Sequence, residues 1–137
     1  MIDRVPPTKL EIVTLTEQET ARARDLIAQF ADHIDPAWAI VPGMSVYFIN
    51  LLTKGVSKGK AVGYLIHHLG IPIEQTMGVG DGPNDEPLLR AVGVGVAMGD
   101  SADALKQAAT WVTSGIAEDG LAVAIDRFIL SNGHKHG

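Results

Sequence analysis

From Ser57 onward the sequence alternates helical and strand patterns, and no other property of the chain restricts its fold as strongly. Short apolar runs at residues 77–80 and 94–98 lie between segments of helical spacing. Strands joined through helices lie parallel in one sheet, with the helices covering its faces, so the expected class is α/β. Ser57 is placed to cap a helix that carries Ala61, Val62, Leu65, Ile66 and Leu69 on one face and is ended by Gly70 and Pro72. Further helices are expected over residues 84–91 and 102–109, the latter with Leu105 and Ala108 facing inward, and a short strand at 111–112. A closing helix over 119–130 is expected to bury Leu121, Ala124, Ile125, Phe128 and Ile129.

The opening of the chain has a different pattern. Residues 9–15 read as a strand, and 17–34 as a helix whose apolar positions are Ala23, Leu26, Ile27, Phe30 and Ile34. Thr16 with Glu19 makes a capping box at its start. Residues 37–41 and 45–51 read as strands around the turn pair Pro42-Gly43. Three segments are therefore expected: a small α+β unit over 1–54, an α/β unit over 55–131, and a disordered tail over 132–137.

Composition narrows the function. A chain of 137 residues can bury roughly 68% of its unfolded surface, and 46% hydrophobic with 20% charged residues excludes a disordered chain. The net charge of −5, with no Lys/Arg stripe, argues against nucleic acid as a partner. With no cysteine, thiolate catalysis, disulfides and zinc fingers are excluded, and oxygen ligands become the natural choice for any metal. The most apolar stretch, residues 37–52, is broken by Pro42-Gly43 and Asn50, so no membrane span is expected. Residues 1–7 show no leader pattern, which makes a cytoplasmic location the default expectation.

The segment Gly78-Val79-Gly80-Asp81-Gly82-Pro83-Asn84-Asp85 carries the most chemistry. It places Asp81 at the carboxyl end of a buried strand, where open α/β sheets bind ligands, and Asp85 one turn further on. Two hard carboxylates beside a helix N-terminus suit Mg²⁺ and phosphate. The plainer reading makes the same residues a turn and a helix cap. Lys58, at the start of a helix where a cation opposes the macrodipole, would be compensated by a bound anion, and its plainer reading is a solvated lysine. Trp38, Tyr47 and Phe48 fit either core packing or contact with a substrate's leaving group. His67 and His68 are helix neighbours about 100° apart, a poor metal pair, and His134 and His136 fall in the tail. Gly93, Gly95 and Gly99 make no dinucleotide fingerprint.

Taken together these segments resemble the haloacid dehalogenase-like hydrolases, in particular the Cof-type, subclass IIB phosphatases. Val56-Ser57-Lys58-Gly59-Lys60-Ala61 is similar to that group's third motif and Gly80-Asp81-Gly82-Pro83-Asn84-Asp85 to its fourth. Gly93-Val94-Gly95-Val96-Ala97-Met98-Gly99 and Glu118-Asp119-Gly120 extend the resemblance over residues 55–130. The resemblance implies a Rossmann-like parallel sheet, here the C-terminal half of that core, with residues 1–54 as a remnant of its α+β cap. It further implies that Lys58 holds the substrate phosphate, Asp81 ligates Mg²⁺, Asn84 touches phosphoryl oxygens and Asp85 orients the metal site, with Asp81 and Asp85 as its protein ligands. The implied substrate is a phosphorylated small molecule of the sugar-phosphate class. The implied chemistry is attack by an aspartate on phosphorus, followed by hydrolysis of the aspartyl-phosphate.

The family's nucleophile lies in an Asp-x-Asp motif, and this sequence contains no Asp-x-Asp. Asp100 stands where asparagine is common, and Ile116 where many relatives carry a polar residue. The expected protein is therefore a truncated, nearly inactive phosphatase, with a non-catalytic phosphate- or partner-binding module as the alternative. A sheet lacking its central strand would leave the strand at 77–80 with an open edge, so either a homo-oligomer or a missing N-terminal half is expected to complete it.

Overall fold

The structure, a computed structural model, describes residues 8–41 and 43–131. The expected tail at 132–137, and Pro42 of the expected turn pair, lie outside the described residues. The chain divides into two compact units, Met1–Val56 and Ser57–Gly137.

In the first unit the strands are β1 (Leu10–Thr14), β2 (Ile34–Ile40) and β3 (Tyr47–Thr53), with helix α1 (Glu17–Ala28) between β1 and β2. The sheet order is β1-β3-β2, and both pairings are antiparallel. Helix α1 begins at the capping box foreseen from the sequence: the Glu19 amide donates to Thr16 Oγ1, and the Thr16 amide donates to the Glu19 carboxylate. The backbone N–H of Leu15, which also donates to that carboxylate, is the largest cause holding the Glu19 carboxyl below its ordinary range, with Thr16 and the charge of Arg22 adding to it. The helix stops at Ala28 rather than running to residue 34. Turn hydrogen bonds from His33 and Ile34 to the Phe30 carbonyl close the segment, and Ile34 then pairs with Thr53 as the first residue of β2. Ile34 still packs against Ala23 and Ile27, together with Ile49 of β3, reaching them from a strand instead of a helix. A helical repeat in sequence and a helix-then-strand path can bury the same side chains.

Strand alternation divides the aromatic residues. Trp38 lies opposite Ile49 and meets Tyr47 edge-on at 5.9 Å, both packed on the core under α1. Phe48, one residue out of phase, faces the other side of the sheet. Leu26 and Phe30, two of the apolar positions at helical spacing, are exposed.

The second unit begins at Ser57, whose hydroxyl accepts the Lys60 amide and caps α2 (Lys58–Leu69), and Gly70 ends that helix in the left-handed region at φ 65°. Parallel strands β4 (Met77–Gly80), β5 (Val94–Ala97) and β6 (Trp111–Val112) follow, in sheet order β4-β5-β6. The segment expected as a helix over 84–91 is a 3₁₀ turn at Pro83–Asp85 followed by α3 (Glu86–Arg90). Helix α4 (Asp103–Ala108) contributes Leu105 to a core with Leu89 and Ala97. The expected closing helix is α5 (Gly120–Ile125) running on into a wider π turn at Asp126–Leu130. Ala124 is fully buried, but Leu121 and Ile129 are exposed. On α2 only Gly59 is buried, with Val62 and Ile66 half-buried, while Ala61, Leu65 and Leu69 lie open. Periodicity identified the apolar stripes and overestimated how much of each one three short strands can cover.

Replacing Thr16 with Ala removes one half of the capping box and should destabilise the first unit by about 1 kcal/mol. In a Trp111→Phe background, denaturation followed by Trp38 fluorescence would measure this, and an unchanged midpoint would refute it.

Candidate functional site

The site is built where β4 ends. Gly80 closes the strand, Asp81 and Gly82 form the turn, and the 3₁₀ turn swings Asp85 back beneath them. Only glycine fits at position 80, since a Cβ there would lie 2.4 Å from the Asp85 Cβ. Asp85 is buried at 5% exposure, and both its oxygens are engaged. Oδ2 accepts the backbone N–H groups of Asp81 and Gly82, each at 3.1 Å, and Oδ1 accepts the ammonium of Lys58.

Burial alone would raise the Asp85 pKa. The Lys58 hydrogen bond, the two backbone donors and the Lys58 charge together outweigh that effect and hold the carboxyl below its usual range.

Lys58 reaches Asp85 because α2 can approach α3 closely. At Gly59 a Cβ would sit 2.2 Å from the Pro87 carbonyl oxygen, so any larger residue would push the helix away. Half of the Lys58 side chain remains exposed. The sequence placed Lys58 in the site but gave Gly59 no role; the signal was a glycine in the first turn of an otherwise good helix, where it costs stability unless close packing demands it.

The structure thus brings Lys58 and Asp85 into contact. Asp81 joins them through its backbone, with its residue exposed, and Asn84 is half-buried in the same turn. Asp100 lies in the loop after β5, where its carboxylate accepts the Ile116 amide at 3.2 Å. Ser101, beside it, buries a hydroxyl without a hydrogen-bond partner. His68 stacks on Tyr64 at 6.0 Å on the exposed side of α2. Among the described residues no three His, Cys, Asp or Glu side chains gather as a metal-holding group, and no helix is long and apolar enough to cross a membrane.

The sequence pattern of the haloacid dehalogenase-like hydrolases matches residues 2–125. The chain belongs to that family. It is similar to a haloacid dehalogenase-like hydrolase from Bacteroides thetaiotaomicron, with 30% identity and a TM-score of 0.72 over 90% of this chain and 44% of that one. A subclass IIB sugar phosphatase of the superfamily aligns with 31% identity and a TM-score of 0.68, covering 87% of this chain and 43% of its own. The phosphoglycolate phosphatase of Methanobrevibacter smithii is 36% identical over 86 residues, which are 63% of this chain and 37% of that protein. The chain spans 30–39% of the length of such curated relatives. The α/β core with its parallel sheet agrees with the fold expected from the sequence.

Asp85→Asn should destabilise the second unit by roughly 2 kcal/mol near neutral pH, because it removes the charge that satisfies Lys58 and weakens the acceptor of two amides. The folded Asp85 pKa is lowered, so its stabilisation is present above the unfolded value near 3.8 and lost as pH falls through the folded one. Urea denaturation at a series of pH values should therefore show the gap between wild type and variant closing in acid. A gap that persists after carboxyl protonation would contradict this role.

Proposed function

We propose that this chain forms the phosphate-holding part of a phosphomonoester hydrolase acting on phosphorylated small molecules, most naturally of the sugar-phosphate class. The supporting observation is the Lys58–Asp85 pair at the carboxyl end of β4, in which Asp85 fixes a half-exposed ammonium beside the exposed Asp81. In this reading Lys58 binds the substrate phosphate, Asn84 hydrogen-bonds its oxygens, and Asp85 holds the ammonium in place. The relatives' printed activities, sugar phosphatase and phosphoglycolate phosphatase, support this substrate class.

The donor set fits Mg²⁺, because Asp81 offers a hard oxygen ligand at the strand end and Mg²⁺ commonly takes one or two carboxylates and keeps several waters. When bound there, the ion would neutralise phosphate charge. Asp85, with both oxygens already occupied by donors, would serve that centre through orientation unless it exchanged Lys58 for the metal. Mg²⁺ binding to the chain by itself should be weak and should disappear in Asp81→Ala. Tight binding by calorimetry that survives this substitution would place the metal elsewhere.

The attacking carboxylate is supplied from outside these residues, since the sequence has no Asp-x-Asp. The open edge of β4 is suited to receive the strand that carries it. The chain alone should hydrolyse p-nitrophenyl phosphate with Mg²⁺ at near-background rate. Adding the N-terminal portion of a relative, by fusion or as a separate polypeptide, should restore turnover. In the restored protein Lys58→Ala or Asp81→Ala should lower kcat/KM by roughly 100-fold or more, in line with removal of charge that stabilises a transferring phosphoryl group. Robust activity of the chain alone, or a restored enzyme indifferent to Asp81, would refute the assignment. The missing motif also favours a second reading, a phosphate-binding module without catalysis, and failure of every complementation with phosphate binding retained would select it.

A further inference from the structure

The chain leaves the first unit through a turn that one carboxylate holds. Just past β3 the Lys54 amide donates to the His33 carbonyl at 2.9 Å and the Val56 amide to the Thr53 carbonyl at 3.0 Å, closing a turn in which Gly55 takes φ 77°, a value that favours glycine. Asp35, on the neighbouring strand β2, reaches both central residues of that turn. One of its oxygens accepts the Gly55 amide at 2.6 Å and the other meets the Lys54 ammonium at 3.1 Å, while the same ammonium donates to the Ala31 carbonyl at 2.7 Å.

Aspartate is a poor strand former, so its place within β2 calls for a compensating contact. Its own backbone is fixed twice, by pairing with Leu52 and by Pro36, which restricts the residue before it to extended geometry. The carboxylate therefore grips the turn from a rigid base. Past Val56, where the first unit ends, the second unit takes hold of the chain at Ser57, whose hydroxyl accepts the Lys60 amide and whose carbonyl accepts the Ala61 amide. Between the bonded Val56 amide and those anchors, free backbone rotation is confined to Val56 and the N–Cα bond of Ser57.

We propose that Asp35 is a latch on the connection between the two units: it makes Lys54 and Gly55 part of the first unit and leaves Val56, 48% exposed, as the joint. Without the latch the joint would extend back to Lys54 and include a glycine, the residue with the most backbone freedom. With it, the chain bends at one β-branched residue, two positions before Lys58.

Amide hydrogen exchange, backbone NMR relaxation and limited trypsin digestion of the full chain, with no substrate or metal present, test this independently of the phosphatase reading. In Asp35→Ala the Gly55 amide should exchange roughly tenfold faster, the size expected for losing one hydrogen bond to a charged group. Order parameters should fall at residues 54–56 while those of β3 and α2 hold, and trypsin should cut after Lys54 several-fold faster. Asp35→Asn keeps an acceptor for the Gly55 amide without the charge opposite Lys54, so its exchange rate should fall between the two. Val56→Gly should loosen residues 56 and 57 with the Gly55 amide still protected, which separates the joint from the latch. The proposal is overturned if the Gly55 amide is unprotected in the wild type or equally protected in Asp35→Ala, or if Val56→Gly also strips its protection. Loss of order that spreads through β2 and β3 in both Asp35 variants would overturn it as well, because Asp35 would then be an ordinary residue of the sheet.

Discussion

The buried carboxylate of Asp85 is the group around which the second unit's ligand end is organised. An unpaired charge at that depth would cost several kcal/mol, and three donors offset this: two turn amides and the Lys58 ammonium. Each donor ties down a different part of the chain, the strand end at Asp81, the turn at Gly82 and the start of α2 at Lys58. Two glycines provide the necessary room, Gly80 under the carboxylate and Gly59 between the helices. The lysine is tethered at its ammonium while half of its side chain stays exposed, so its positive charge is held in place rather than free to wander.

This arrangement separates two carboxylates that look equivalent in sequence. Spacing placed Asp81 and Asp85 near one point, and the backbone does bring them together. Asp81 directly follows a strand and faces outward, whereas the 3₁₀ turn at Pro83–Asp85 turns Asp85 inward onto the amide of Asp81 itself. One is left exposed and the other is consumed in holding the frame. Spacing cannot distinguish these roles, because they depend on whether the intervening residues form a helical or a 3₁₀ turn, a difference of one hydrogen bond.

Local chemistry was readable wherever one residue type has one use. Thr16 with Glu19, Ser57 as a cap, Gly70 as a left-handed terminator and the strand at 77–80 all stand where the sequence indicates. The failures have a common cause. The expected helix over 17–34 and the expected burial of Leu121 and Ile129 assume that an apolar stripe is fully covered, yet Leu26, Phe30, Ala61, Leu65 and Leu69, which share such stripes, are exposed as well. Burial depends on what else is present to do the covering, and two three-stranded sheets with five helices cover only part of each stripe.

Among the described residues β4 is an outer strand of a parallel sheet, and strand direction determines what its edge can accept. Beside β4 lie Asp81 and Lys58, both at the carboxyl end of a parallel sheet. Only a strand running the same way would end there and bring residues from its own carboxyl end to the site; a strand running the opposite way would bring its beginning. A two-fold copy of the same edge always runs the opposite way, so self-association at β4 and completion of the proposed phosphate site exclude one another.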